Sequence, residues 1–573
     1  MQTIKRWVLP EPGPPPQLGP LPEAVARILF NRGIRTAEEA DRFLAADERL
    51  LADPFALADM GAAVERLIRA IRAGEPVGVY GDADADGLTA TLVLAEALTS
   101  LGAHVVPYIP GRREGLTVEG LVRLVEGGCR VIVTADVGVS AVAEAEFARA
   151  AGIDLIITDH HLPPGRLPPA VAVINPRRAD QEYPFGDLAG VGVAYKLAQA
   201  VAQTLGRELE AERLLELVAI GTVADVMPLT GENRYLVREG LRALANTGRP
   251  GLRALTALGR VNLGAATADM IAFQLAPRLN AASRLGDGIL SFRLLSTRDP
   301  SEAQVLAETL ERLNAERQLT LNEVTARLWP QVDAALAAGL NLVFIEVDGC
   351  PPGLLGLIAS RITDAVRRPA VVVTFEGEEG RGSGRSIPEF DLHAALTRLA
   401  GYLTAFGGHR LAAGFNFRRE NLPAIRAELS ELAEAELAGR DLRPVITVDL
   451  EIPLVSLSPG LYSWLERLAP FGHGNPEPRF LSRGVEVLRA ERLATSGNGE
   501  YYRLILGAAG ETGHAGRTVR WPAVAFSVPE NFELLYTRRW DVVYAVQLNR
   551  RRYPPTQELN IVDLAPAETS GEV

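Results

Sequence analysis

Three aspartates, Asp82, Asp84 and Asp86, stand at alternate positions in PVGVYGDADADGLTAT, directly after an apolar run and directly before a helical one. Carboxylates this close repel one another, and each is driven toward protonation unless a cation lies among them. Hard oxygen donors at that density suit a divalent metal ion. A water-facing acidic turn is the plain alternative. Against it, Val77, Val79 and Tyr80 read as a buried strand, Gly87 as a turn and Thr89 as a helix opening. Acids in that position lie at the crevice where open α/β sheets bind ligands.

Two further apolar runs end in the same way. VIVTADVG brings Asp136 to its end, and LIITDHH finishes on Asp159, His160 and His161. Asp225, in LVAIGTVADVMPL, follows an apolar helix, where a lone aspartate is commonly a cap or a core acceptor. Strands are expected over residues 77–82, 104–108, 130–136, 154–159 and 171–175, with helices over 89–101, 118–125 and 141–151. That alternation predicts βαβ units and a mostly parallel sheet, whose carboxyl-terminal strand ends share one edge. Acids gathered on that edge would hold divalent metal. An oxygen-rich set with imidazole suits Mn²⁺ or Mg²⁺ better than zinc.

The elements that must hold these groups extend over 573 residues, too many for one core and enough for roughly three or four domains. With 47% hydrophobic and 23% charged residues and no apolar run that spans a bilayer, the chain reads as a soluble globular protein. The amino-terminal MQTIKRWVLPEPGPPPQ lacks the apolar core of a secretory signal, so a cytoplasmic protein is expected. Cys129 and Cys350 provide neither a disulfide framework nor a zinc ribbon. A net charge of -12 argues against indiscriminate coating of nucleic acid, yet leaves room for a local basic groove. Lys5 and Lys196 are the only lysines, so the basic residues are nearly all arginines capable of bidentate phosphate contacts.

Residues 1–50 read as a cap on the domain that follows, 51–290 as the first α/β lobe, 291–339 as a connecting helix, 340–442 as a second α/β lobe and 443–573 as a barrel of short antiparallel strands. In the connector, Asp299 and Pro300 open a helix expected to run to Trp329, about 45 Å at 1.5 Å per residue. Leu306, Leu310, Leu313, Leu321, Val324 and Leu328 form its apolar stripe, and Arg317 interrupts it. Strands are expected over 342–347 and 370–375 in the second lobe. Its GRGSGRSIP and FGGHRLAAGF read as glycine-rich loops able to bring backbone N–H groups up to phosphate. In the last domain, arginines interleave with Tyr501, Tyr502, Trp521, Trp540 and Tyr553, a composition suited to single strands, although Trp521 and Trp540 are expected in the barrel core.

The succession DxDxDG, Asp136, DHH and GTVAD resembles the DHH phosphoesterase superfamily. Further segments narrow the likeness to its bacterial single-strand-specific 5′ exonucleases: LAGVGVAYKL, APRLNAASRLGD, GSGRSI, FGGHRLAAGF and PFGHGNPEP, which extend it over nearly the whole chain. The resemblance implies a DHH lobe and a DHHA1-like lobe separated by the long helix, a cleft between them, and an OB-fold barrel. It implies two ions, Mn²⁺ before Mg²⁺, held by Asp82, Asp84, Asp136, His160 and Asp225, with Asp136 shared. Catalysis would rest on Asp136, His160 and His161, the last touching the phosphate or assisting proton transfer. Asp86 and Asp159 are left as ligands or supports. Arg278, Asn280 and Arg284 would follow the DNA backbone, and Ser383, Arg385, Ser386, Gly407, Gly408 and His409 would take the terminal phosphate. After YIPGRREG the family continues with an aromatic and a glycine where this chain has LTVEG, which leaves open whether Arg112 and Arg113 touch DNA.

The implied activity is degradation of single-stranded DNA from the 5′ end to mononucleotides in recombination and repair, by a monomer that meets a single-strand-binding protein and a helicase. Two rivals remain. A DHH phosphodiesterase for short oligonucleotides or cyclic dinucleotides would not need the barrel. A non-catalytic replication scaffold would not need every ligand position filled.

Overall fold

The computed structural model describes residues 5–567 except 12, 14, 15, 112–114, 286, 494–500, 513–517, 527–533 and 550–555. The chain forms two units, one of Leu51–Pro228 with Glu232–Leu442 and one of Met1–Leu50 and Leu229–Gly231 with Arg443–Val573.

The first unit opens with the expected sheet. Strands β1 (Pro76–Gly81), β2 (His104–Tyr108), β3 (Val131–Ala135), β4 (Asp154–Thr158) and β5 (Ala172–Ile174) lie in the order β2-β1-β3-β4-β5, every pair parallel. Val77, Val79, Ile132, Val133, Ile156 and Ile157 are all buried, as in strands covered on both faces. The chain leaves β1 for β2 on one side and returns to β3 on the other, so the switch-point crevice opens between β1 and β3.

Helix α1 (Ala85–Ser100) begins four residues before the Thr89 expected from sequence. The cause is local: Asp84 caps it, its Oδ1 accepting from the backbone N–H groups of Asp86 and Gly87 at 3.0 and 3.1 Å. Gly87 is therefore part of the first turn, and a Cβ there would run into Asp82. Beyond the sheet follow α2 (Gly190–Leu205), α3 (Ala211–Ala224) and α4 (Ala276–Leu285). The connector α5 (Pro300–Ala337) continues past Trp329 and through Pro330. Leu328 and Val332, on either side of the proline, are buried in the second lobe, and that burial offsets the lost hydrogen bond.

The second lobe holds β6 (Val343–Glu346), α6 (Leu355–Val366), β7 (Ala370–Glu376), β8 (Glu379–Arg385), β9 (Leu403–His409) and β10 (Ala412–Arg418), ordered β9-β10-β8-β7-β6 with only β6 and β7 parallel. The segments expected to be glycine-rich loops are thus strands. GRGSGR is the central one, its amides committed to β7 and β10. Its alternate glycines make room for side chains: a Cβ at Gly380 would meet the Phe417 ring, at Gly382 the Phe415 ring, and at Gly384 Leu392.

In the other unit, β11 (Phe480–Leu493), β12 (Tyr501–Thr512), β13 (Thr518–Ala525), β14 (Trp540–Asn549) and β15 (Thr556–Pro566) close a barrel in the order β11-β12-β13-β15-β14 and back to β11. The pairs are antiparallel except β13 with β15, as an OB fold allows. Trp540 is in its core and Trp521 packs half-buried against it, as expected, and Tyr502 is buried as well. Tyr553 lies outside the described residues.

Residues 1–50, expected to cap the domain after them, belong with the barrel. Arg6–Val8 pairs in parallel with Val445–Thr447, and helix Glu23–Asn31 places Val25, Ile28 and Leu29 in one core with Leu504, Trp540 and Tyr544. The pairing predicts that Leu29→Ala destabilises the barrel unit by about 2–5 kcal/mol. Calorimetry should show its transition moving down while that of the two-lobed unit stays; an unmoved transition would mean that the helix only rests on the barrel.

Candidate metal centre

Each acid of the sheet edge stands one residue past its strand and keeps its own amide in the ladder. Asp82 N–H donates to Ala135 O at 3.3 Å, Asp136 N–H to Thr158 O at 3.0 Å and Asp159 N–H to Ile174 O at 3.1 Å. The parallel register therefore sets the strand ends side by side. At Asp136 the backbone turns sharply, with φ of 66°, a conformation costly for a residue with a Cβ and commonly found at functional sites.

Three sets of side chains converge, each with ligand atoms within 4.8 Å of one another: Asp82, Asp84 and Asp136; Asp86, His160 and Asp225; and Asp136, His160 and His161. His160 Nε2 is 3.2 Å from Asp136 Oδ1, 3.4 Å from Asp225 Oδ2 and 3.9 Å from Asp86 Oδ2. All five residues expected as metal ligands are thus brought together. Asp136 belongs to two of the sets, the position a shared ligand needs. Asp225 is the C-cap residue of α3, and Val226 after it has φ of 56°.

Burial decides the electrostatics. Asp136 is 2% exposed and Asp86 1% exposed. Burial first, then the charges of Asp86, Asp84, Asp225 and Asp82, push Asp136 well above the ordinary carboxylate range. Asp86 is raised by burial and by Asp225 and Asp84, although α2 offers it two amides. Its Oδ2 accepts from Gly190 N at 2.8 Å and its Oδ1 from Val191 N at 2.9 Å, so the positive end of α2 holds this acid. Burial and the neighbouring His161 bring His160 down to about 3, leaving a neutral imidazole able to ligate. Asp136 Oδ1 is buried and accepts no hydrogen bond among the described residues. An orphaned buried carboxylate oxygen, crowded acids and a neutral imidazole together fit hard divalent cations.

Asp159 plays a different part. Its Oδ1 accepts from the backbone N–H groups of His160 and His161 at 2.7 and 3.1 Å and meets His161 Nδ1 at 2.7 Å, and its Oδ2 accepts from Val139 N at 2.8 Å. These bonds fasten it to both histidines of the DHH turn. Burial alone would lower the His161 pKa, but the hydrogen bond and charge of Asp159 outweigh it and push it up to about 9.

Sequence reasoning passed over three groups here. Gly190 is needed because a Cβ would overlap the Asp136 carboxylate. Asn175 Nδ2 donates to His161 O at 2.8 Å, and its Oδ1 accepts from Arg177 N at 2.7 Å. Asn175 also stands one residue past its strand, the same position that drew notice to the acids. Arg177 acts on both His160 and His409, lowering the pKa of each after burial has done so.

The expected substrate contacts separate. Asn280 Oδ1 accepts from Ala85 N at 2.7 Å, between two of the aspartates. Arg278 is tied to Glu311 at 2.7 Å and to Gln274 O at 2.6 Å, and Arg284 Nη1 donates to Gly353 O of the second lobe at 3.0 Å. In the second lobe, Ser383 and Arg385 come together against Gly356 in the first turn of α6. Ser386 turns inward, its Oγ donating to Phe390 O at 2.8 Å. Gly407, Gly408 and His409 lie on the exposed edge strand β9, and burial first, then the charges of Arg177, His161 and His393, lower the His409 pKa. Arg112 and Arg113 lie outside the described residues.

Comparison with known proteins agrees with this geometry. Residues 76–222 match the DHH family N-terminal domain, 339–435 the DHHA1 domain and 448–563 the RecJ OB domain. The chain is 36% identical to the single-stranded-DNA-specific exonuclease RecJ of Thermus thermophilus, over 95% of this chain and 77% of that one. It is 39% identical to the Bacillus subtilis protein of the same name over 80% of this chain, and spans 58% of that relative's length. The Escherichia coli exonuclease RecJ is 35% identical over 80% of this chain and 83% of its own. A crystal structure of the Thermus thermophilus RecJ with Mn²⁺ superposes with a TM-score of 0.82 at 31% identity, covering 98% of this chain and 80% of that one. One with Mg²⁺ gives 0.76 at 30% identity, covering 98% and 79%.

The raised carboxyl groups have a measurable sign. A folded-state pKa above the unfolded value of about 4 means that the metal-free fold loses stability as pH rises through the folded value. His161 acts in the same direction, its contribution complete below its unfolded value and lost as pH rises through about 9. With chelator present, the melting temperature of the two-lobed unit should fall between pH 7 and 9, above the range in which the neutral His160 works the other way. Mn²⁺ should flatten that fall, and titration calorimetry in buffers of different ionisation enthalpy should show protons released on binding. A pH-independent chelated profile without proton release would mean ordinary surface acids. Gly190→Ala should keep the fold and lose roughly tenfold or more in Mn²⁺ affinity, read by the same calorimetry.

Proposed function

The chain belongs to the RecJ family of single-stranded-DNA-specific exonucleases, and from that premise we propose that it hydrolyses single-stranded DNA from the 5′ end, releasing mononucleotides. The observation that carries this reading is the convergence of five aspartates and His160 at the switch-point crevice. Divalent cations bound there, Mn²⁺ or Mg²⁺, neutralise the phosphate and make a water acidic enough to attack at neutral pH.

The chain's own groups do the rest. Asp82, Asp84, Asp136, His160 and Asp225 would hold the ions, with Asp136 the ligand available to both. Asp86, fastened to the amino end of α2, and Asp159, fastened to the DHH turn, keep the ligands oriented. His161 gives its Nδ1 to Asp159, which leaves Nε2 to face the strand. Held cationic, it hydrogen-bonds a phosphate oxygen or passes a proton toward the departing 3′ oxygen.

Polarity requires a second anchor at a fixed distance from the ions. Ser383 and Arg385 at the amino end of α6, with His409, Gly407 and Gly408 on the edge strand, are suited to a terminal phosphate. The barrel would hold the rest of the strand. A monomer working in the cytoplasm in recombination and repair, beside a single-strand-binding protein and a helicase, completes the proposal. A phosphodiesterase for short or cyclic dinucleotides and a silent scaffold are disfavoured by the barrel and by the filled ligand set.

Digestion of a single-stranded oligonucleotide labelled at either end, with Mn²⁺, tests this. The 5′ label should appear at once as mononucleotide while the 3′ label shortens progressively. Asp136→Ala should abolish both, slowing the reaction by roughly 10³-fold or more. Hydrolysis of dinucleotides with long strands bound intact would instead favour the short-substrate enzyme.

A further inference from the structure

We propose that Arg317, midway along α5, binds a phosphate at the junction of the two lobes, a contact separate from the metal centre and from the terminal-phosphate candidates. The residue interrupts the apolar stripe of its helix, lying between Leu310 and Leu321, which are both buried. It is itself only 8% exposed. Nη2 donates to Asn314 Oδ1 at 2.9 Å, one turn back, and Nε is buried without a partner. Among the described residues no carboxylate is within ion-pair distance of it.

The other charges around it make the anomaly sharper. Arg278 approaches from α4 in the first lobe and Arg361 from α6 in the second, and both add to burial in lowering the Arg317 pKa. Arg278 is paired with Glu311, whereas Arg361 Nη1 donates to the neutral Asn322 Oδ1 at 2.6 Å. Three guanidinium groups from three helices thus share one carboxylate. Two other buried arginines are paired: Arg249 with Glu216 and Glu96, Arg66 with Glu75 and Asp154. A buried cation left unpaired is costly to the fold. It is retained where a ligand brings the missing anion, and the planar fork of a guanidinium suits the oxygens of a phosphate.

The ligand follows from position. Two residues beyond Arg278, Asn280 touches the metal loop at Ala85, so the cluster lies on the same helix as that contact, toward α5. The class is a phosphate of a polynucleotide strand already engaged at the metal centre, an assignment that rests on the function proposed above. Inorganic phosphate or a released mononucleotide shares the chemistry and is separated by experiment.

Binding of fluorescent oligo-dT to the full chain in chelator, where no cleavage occurs, tests the site. Arg317→Met should lose about tenfold in affinity, and its log affinity against log salt should flatten by about 0.7, the effect of one phosphate contact on a single strand. Its melting temperature without DNA should rise, because the unpaired charge is gone. Arg317→Lys, which keeps charge without the fork, should bind between the two. Wild-type affinity and salt slope in Arg317→Met would overturn the proposal, as would a lowered melting temperature with binding lost equally in Arg317→Lys, since that marks a packing role. Millimolar inorganic phosphate or dTMP raising the melting temperature of the wild type but not of Arg317→Met, with strand binding unchanged, would assign the site to the free anion and overturn the strand. If the wild type binds no strand at all, the proposed function itself fails.

Discussion

Mutual repulsion of buried carboxylates governs this molecule. The buried Asp82, Asp86 and Asp136 are drawn together with the half-buried Asp84 and Asp225, and no arrangement of neutral neighbours makes that comfortable. The fold answers from several directions. The parallel register holds the strand ends in place, the amino end of α2 offers two amides to Asp86, and the first turn of α1 offers two more to Asp84. What remains uncompensated is the room for cations. Glycines at 87 and 190 keep that room open by letting backbone approach Asp82 and Asp136.

The same division between fixed and uncompensated charge recurs away from the ions. Helix α4 binds the metal loop through Asn280, the long helix through Arg278 and the second lobe through Arg284, so it is a strut common to all three. Residues that in sequence resemble a DNA-reading strip thus spend at least some of their hydrogen bonds on the protein. Arg317 is the converse, a cation that the protein surrounds and does not satisfy.

Much of the metal centre was legible in the sequence because it is periodic: an apolar run ending in an acid, three times over, twice followed by a helix. The register of a parallel sheet turns that period into proximity without further information. What escaped was whatever depends on absent atoms or on capping. Gly190 matters through a missing Cβ, which no residue type advertises. Helix α1 starts early because Asp84 accepts from the amides it precedes, and the same side chain reads equally well as a loop acid. The glycines of GRGSGR resembled a phosphate loop, yet they are spaced to receive Phe415 and Phe417 from the next strand, a pairing visible only in three dimensions. Residues 1–50 went astray for the commoner reason that nearness in sequence stood in for nearness in space. Their partner begins almost four hundred residues later.

That separation carries a consequence for how the protein is made. Val25, Ile28 and Leu29 are synthesised well before the barrel strands that cover them. At about 5–20 residues per second, the helix waits roughly 25 to 100 s for the strands that cover its apolar face. Throughout that interval the two-lobed unit can fold and bind its ions while the ends of the chain stay unjoined. The helix thus reaches its core only when the barrel strands have been made, and the barrel is completed by a segment translated long before it.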